Sequence, residues 1–249
     1  GTALLLQAIK EFGGVDRLVI TSTQFVCEAG YQPKHDLDFK PFTLYGETKR
    51  RCEIATRDAG LTCVWSIIRP TTIWGPWSLR YRDVMFKVMR KGLYFHPGKA
   101  KVVRSYGYVG NVVWQIMRIL AADPATVNGK VLYVGDPPMD LRVWVEAVSR
   151  ELVHKPVRYI PTWMVKALAI TGDVLKFFRL PFPITSGRFR SMTSDYITPM
   201  DATEAVLGKA PVGLEEGVKA TVVWYDSESA AARKPTLIDT RQKPITPHP

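Results

Sequence analysis

The chain has 249 residues, 46% of them hydrophobic and 23% charged, with a formal net charge of +11. That length suits one sizeable core with a smaller satellite, and no apolar run approaches the ~18 residues a bilayer span requires. The three cysteines (Cys27, Cys52, Cys63) and four histidines lack C-x-x-C and H-E-x-x-H spacing, so reduced thiols, no metal and a cytoplasmic location are expected.

In chain order, residues 2–12 carry Leu5, Ala8, Ile9 and Phe12 on one helical stripe, stopped by Gly13-Gly14. Residues 17–23 (RLVITST) read as a buried strand that delivers hydroxyls at its C-terminal end. Residues 28–42, with prolines at 33 and 41, read as a loop. The segment 43–59 reads as a helix with Thr43 as cap and Gly60 as stop. Residues 61–68 (LTCVWSII) read as a second apolar strand, leading into Arg69-Pro70. Helix–strand–helix–strand with near-continuous apolar strands predicts a parallel sheet covered on both faces. Ligands of such sheets bind beyond the carboxyl ends of the strands.

After Gly75-Pro76 the sequence turns basic and aromatic. Residues 77–100 are expected as helix then loop, 102–109 as a strand and 109–122 as a helix closed by Asp123-Pro124. Residues 130–134 (KVLYV) predict a short buried strand, and 140–152, 161–178 and 214–225 predict helices. Of these, 161–178 is strongly apolar; core packing, a membrane contact and the wall of an apolar pocket are all open for it. From 229 onward a disordered tail is expected. The basic groups at 49–51, 80–91 and 188–190 come without a helix-turn-helix, RNP or zinc-finger pattern, so no nucleic-acid partner is expected.

Tyr45-Gly-Glu-Thr-Lys49 places two side chains at i and i+4, on one helical face. A free phenol titrates near ~10, and an ammonium alongside favours the phenolate. The lysine is long enough to reach the hydroxyls of a bound ribose. A hydroxyl from the neighbouring strand end, Thr23 or Ser22, can orient an alcohol or carbonyl oxygen. Together these make a general acid–base group beside a hydride acceptor.

Several landmarks then fall in one order. Gly1-Thr2 with the following helix, LVITSTQFVC (18–27), Tyr45 to Lys49, IRPTTIWGP (68–76), RSYGYVGNVV (104–113), KVLYVGD (130–136) and LEEGVKATVVWY (214–225) jointly resemble an extended short-chain dehydrogenase/reductase of the NAD-dependent epimerase/dehydratase type. The resemblance implies a doubly wound, Rossmann-like parallel sheet lacking its N-terminal strands, with a smaller mixed α/β substrate-binding domain. The dinucleotide-binding part would comprise 1–75 and about 101–135, and the substrate part 76–100 and about 136–228. It implies Tyr45 as acid/base, Lys49 as its electrostatic partner and ribose ligand, and Thr23 as the substrate-orienting hydroxyl. Thr21, Ser22, Pro70, Thr71 and Ile73 would line the cofactor, NAD or NADP. Thr72 would face the substrate, and Arg104 would bind the pyrophosphate of a nucleotide sugar. A homodimer is a further expectation of the resemblance.

Four positions depart from the family pattern. Cys27-Glu28 stands where Tyr-Gly is usual, Thr72 where Asn is frequent and Asn111 where Asp is usual. The glycine-rich loop G-x-x-G-x-x-G that cradles the dinucleotide phosphates is not among these residues. The order of motifs therefore begins midway through a dinucleotide-binding domain, and weak cofactor binding by these residues alone is expected. Two other functions fit parts of the pattern. Tyr108-Val-Gly-Asn111, Tyr133-Val-Gly-Asp136 and the apolar helix after Ile160-Pro161 resemble the 3β-hydroxysteroid dehydrogenase branch, which acts on apolar alcohols. A truncated, non-catalytic binding protein is the other.

Overall fold

The structure is a computed structural model that describes residues 1–180, 182 and 184–233. The helices and strands run in chain order α1 (Thr2–Phe12), β1 (Arg17–Thr21), α2 (Leu44–Asp58), β2 (Val64–Pro70), β3 (Thr72–Trp74), α3 (Lys87–Arg90), β4 (Phe95–Pro97), β5 (Val103–Arg104), β6 (Tyr106–Tyr108), α4 (Val109–Ala121) and α5 (Pro124–Val127). They continue with β7 (Lys130–Val134), β8 (Met139–Asp140), α6 (Leu141–Val153), β9 (Arg158–Ile160), α7 (Thr162–Phe177), α8 (Ser186–Thr193), α9 (Asp201–Leu207) and α10 (Leu214–Arg233).

The central sheet is parallel, in the order β1-β2-β7. Its register pairs Thr21 with Ile68 and Pro70 with Val134, so the strands end side by side. One side of β1 has no strand partner among the described residues.

Alternation along the strands sends successive side chains to opposite faces. Ile68, Leu132 and Val134 pack with Val112 and Ile119 of α4 on one face. Ile20, Ile67 and Val131 cluster on the other, where Arg69 of β2 meets Glu53 of α2. Helices thus cover both faces, as a doubly wound sheet requires.

A second core gathers around Trp74, Phe86, Tyr106, Tyr108 and Trp144 with α6 and α10. Its rings meet edge-on or tilted, Trp74 on Trp144 at 5.7 Å and Tyr81 on Trp144 at 5.4 Å. This geometry suits aromatic quadrupoles.

Several boundaries differ from the sequence expectation. The hydroxyl-ended strand stops at Thr21, because Thr23 caps a 3-10 turn over Gln24–Val26. The second strand starts at Val64 rather than residue 61 and runs on to Pro70. Residues 81–86 form a π-helical segment that runs into α3, rather than a plain helix. The strand expected over 102–109 breaks into β5 and β6, paired with β8 and β3 respectively. The expected tail from 229 is corrected in part, since α10 continues to Arg233; residues 234–249 lie outside the described residues. Among the described residues, no helix is long and apolar enough to cross a membrane.

Candidate active site

The site forms where β1 and β2 end and α2 begins. Thr43 caps α2, its Oγ1 accepting from Gly46 N at 3.0 Å. Tyr45 stands in the first turn, 52% exposed, at the mouth of the site. One turn on, Lys49 Nζ donates to the Thr21 carbonyl at 2.8 Å and lies 5.9 Å from the centre of the Tyr45 ring. An ammonium has three donors, so two remain for a ligand. The sheet end therefore fixes Lys49, and Lys49 places its charge beside Tyr45.

Gly46 is what lets α2 come this close. A Cβ there would lie 2.2 Å from the Phe25 carbonyl oxygen. Gly46→Ala is expected to lift the first turn of α2 off the 3-10 turn, destabilising by about 1–3 kcal/mol. A thermal melt of the variant reads this directly, and a melt equal to wild type would show the contact to be unimportant.

Thr23 is buried, and its Oγ1 accepts from Phe25 N at 3.3 Å. That bond uses the oxygen as acceptor and leaves its O–H unused. Ser22 is buried, donating from its hydroxyl to Glu53 Oε1 at 2.5 Å and from its backbone N to the Ile68 carbonyl at 2.7 Å. Thr71 Oγ1 is buried without a hydrogen-bond partner, packed against Gly107 and Gly135. Its side chain fills the joint between the β2 end and β6. Ile73 is exposed, and Thr72 Oγ1 accepts from Gln24 Nε2 at 2.9 Å. Gln24 therefore ties Thr72 to the β1 end.

Arg104 reaches the site through a chain of contacts. It is buried, donates from Nη1 to the Ser194 carbonyl at 3.1 Å, and sits 5.4 Å over the Tyr196 ring. Its Nε has no hydrogen-bond partner. Tyr196 Oη donates to the carbonyls of Gln24 and Cys27 at 2.9 and 2.5 Å, and its ring lies 6.0 Å from Phe25. Phe25 in turn meets Tyr45 edge-on at 6.5 Å. Burial pushes the Tyr196 phenol up from its ordinary value, so it holds its proton and keeps donating.

Beneath the site lies a buried ion pair that sequence reading missed. Arg69 donates to Glu53 from Nε and Nη2, both at 2.9 Å, and both side chains are almost fully buried. Nη1 donates to Tyr133 Oη at 3.1 Å and Nη2 to the Asp36 carbonyl at 2.6 Å. Burial is the largest single influence and works against the Arg69 charge, but the hydrogen bonds and charges of Glu53 and Tyr133 together outweigh it and raise the guanidinium above its ordinary value. The signal was present: Tyr45, Lys49 and Glu53 recur at i, i+4 and i+8, one stripe descending from solvent into the core.

The unusual Asn111 also finds a reason. Its Nδ2 donates to Asp136 Oδ1 at 2.7 Å and to the Val212 carbonyl at 2.8 Å. Burial raises Asp136 above the usual carboxylate range, against the hydrogen bonds from Tyr108 N and Asn111. An aspartate at 111 would set a second carboxylate against it. Asn111 and Asp136 also line a cavity of about 390 Å³ with Trp74, Tyr108 and Lys209. That cavity does not include Tyr45 or Lys49.

Comparison with known proteins places the chain by family and fold. The chain is 26% identical over 239 residues to an N-acetyl-alpha-D-glucosaminyl-diphospho-ditrans,octacis-undecaprenol 4-epimerase of Escherichia coli O157:H7, covering 90% of this chain and 69% of that one. It is 24% identical over 246 residues to a decarboxylating sterol-4-alpha-carboxylate 3-dehydrogenase of Schizosaccharomyces pombe, covering 92% and 71%. Its fold matches a UDP-glucuronic acid 4-epimerase from Bacillus cereus, solved with UDP-glucuronic acid and NAD, at a TM-score of 0.64 and 16% identity over 91% of this chain and 66% of that one. The chain thus spans about two thirds of the length of its relatives. A family model described as NAD dependent epimerase/dehydratase matches residues 1–135. The chain belongs to the NAD-dependent epimerase/dehydratase family, within the extended short-chain dehydrogenases/reductases.

Proposed function

We propose that the chain carries the acid–base half of a nicotinamide-dependent epimerase, dehydratase or dehydrogenase acting on a nucleotide-diphosphate sugar. The observation that carries the reading is Lys49 Nζ pinned to the Thr21 carbonyl with its charge beside the half-exposed Tyr45. Residues 1–75 and about 101–135 would form the cofactor side, and 76–100 with about 136–228 the substrate side.

The residues present fit the nicotinamide-ribose half of NAD. Lys49 has two donors left for ribose hydroxyls. The β1 and β2 ends offer backbone at Thr21, Ser22, Pro70 and Thr71, with the exposed Ile73 as an apolar wall. When bound, the nicotinamide would accept or return a hydride. Tyr45 Oη would take the proton of a substrate hydroxyl and give it back. Lys49 would stabilise the phenolate that takes this proton, becomes the phenol and is regenerated when the proton is returned, and Thr23 would orient the reacting oxygen. Arg104, with its unpartnered buried Nε, and Thr72 would face the substrate.

The glycine-rich phosphate cradle is not among these 249 residues. Calorimetry is therefore expected to find NAD and nicotinamide mononucleotide bound to this chain within about tenfold of each other, because a helix N-terminus normally supplies the pyrophosphate affinity. A strong preference for NAD would show that some other part of the chain holds the pyrophosphate.

A second reading, oxidation of an apolar alcohol, is favoured by the sterol dehydrogenase relative and by the apolar α7. Incubating the chain with excess NAD and either UDP-glucose, UDP-glucuronic acid or a 3β-hydroxysterol separates the two. Sugar conversion supports the first reading. Sterol oxidation alone replaces it with the second.

A further inference from the structure

Helix α7 buries a narrow stripe made of Val165, Ala169 and Gly172. That stripe is packed closely: a Cβ on Gly172 would fall 1.8 Å from the Ile184 carbonyl oxygen. The helix therefore already has its core contact on one side. At 100° per residue, the opposite side carries Trp163, Ala167, Ile170, Val174, Phe177 and Phe178. Polar residues normally occupy the solvent side of such a helix. Here Phe177 is 83% exposed and Trp163 71%, while Ile170, Val174 and Phe178 are each more than half exposed. Leu180 extends the patch past the helix end.

The charges around the patch have one sign. Between residues 162 and 194, Lys166, Lys176, Arg179, Arg188 and Arg190 stand against a single acid, Asp173. Asp173 accepts from Ser186 N at 3.2 Å and lies beside Lys176. A second copy of the same face would bring two such basic surpluses together. An anionic surface would meet it without that repulsion.

We propose that the outer face of α7 docks in the plane of an anionic lipid bilayer. Its 16 residues, about 24 Å at the helical rise, are too short to cross one. An apolar face with tryptophan and phenylalanine, flanked by lysine and arginine, is the composition of a helix seated at the headgroup boundary. The α7–α8 hairpin leads directly to Ser194, whose carbonyl holds Arg104. Docking would therefore hold the segment that carries the Arg104 contact close to the membrane-bound helix. This goes beyond the proposed reaction and does not depend on it.

The test is flotation of the full chain with phosphatidylcholine vesicles and with vesicles that also contain phosphatidylglycerol, without cofactor or substrate. Binding to the anionic vesicles is expected, weakening with salt. The Ile170→Asp/Phe177→Asp variant changes only exposed positions, so its thermal melt should match wild type while vesicle binding falls about tenfold or more. Lys166→Glu/Lys176→Glu keeps the apolar face and should lose about fivefold per charge on anionic vesicles alone. The proposal is overturned by absence of wild-type binding, by undiminished binding of both variants, or by a dimer in ultracentrifugation that Ile170→Asp/Phe177→Asp dissolves while vesicles bind neither form.

Discussion

Glu53→Ala is expected to destabilise the protein by about 3–5 kcal/mol, the loss that follows when one partner of a buried ion pair is removed. Arg69 would stay buried with its Nε and one Nη2 bond unmet, and Ser22 would lose its acceptor. The pair joins α2, the β1 end and β2, so its loss should also loosen the seat of Lys49 one turn away. Chemical denaturation of the variant measures the first effect. Glu53→Gln keeps the shape and the Ser22 hydrogen bond but removes the charge, and should fall between wild type and Glu53→Ala. A variant within about 1 kcal/mol of wild type would mean that Arg69 finds water or another acceptor.

Tyr45→Phe is expected to melt like wild type and to lose about 10²- to 10⁴-fold in turnover, the usual contribution of one general acid–base group. The fold should survive because the ring is half exposed and its edge-on contact with Phe25 needs no hydroxyl. The loss should sit in kcat at saturating cofactor. Lys49→Met should differ in kind, raising KM for the cofactor as well, since Lys49 would both bind ribose and steady the phenolate. Equal kinetics for the two variants would mean that the two residues do not divide these roles.

Much of this was legible in sequence because it rests on local chemistry. Thr43 and Gly60 mark the ends of α2, and the apolar runs at 17–21, 64–70 and 130–134 form the parallel sheet. The misplaced edges have tertiary causes. Thr23 leaves the strand because its hydroxyl caps a turn, and β2 runs on through Pro70 because its last carbonyls and amides pair with β7. Periodicity does not encode such partners. Tyr196 was invisible for the same reason: it holds the 3-10 turn after β1 from more than 160 residues away in the chain. The Glu53–Arg69 pair was readable in principle, since Glu53 continues the Tyr45–Lys49 stripe and Arg69 stands at the end of an apolar strand, where an unpaired buried charge would be intolerable. The exposed apolar face of α7 could not be read as such, because sequence alone does not reveal which side of an all-round apolar helix finds the core.

Tyr45, Lys49 and the β1 and β2 ends are proposed to receive the nicotinamide. Isotope-filtered NMR of the labelled chain with nicotinamide mononucleotide tests this most directly. Nuclear Overhauser contacts are expected from the nicotinamide ring protons to the Tyr45 ring and the Ile73 methyls. Contacts instead to Trp74, Tyr108 and Met139, in the cavity beside Asn111 and Asp136, would contradict it.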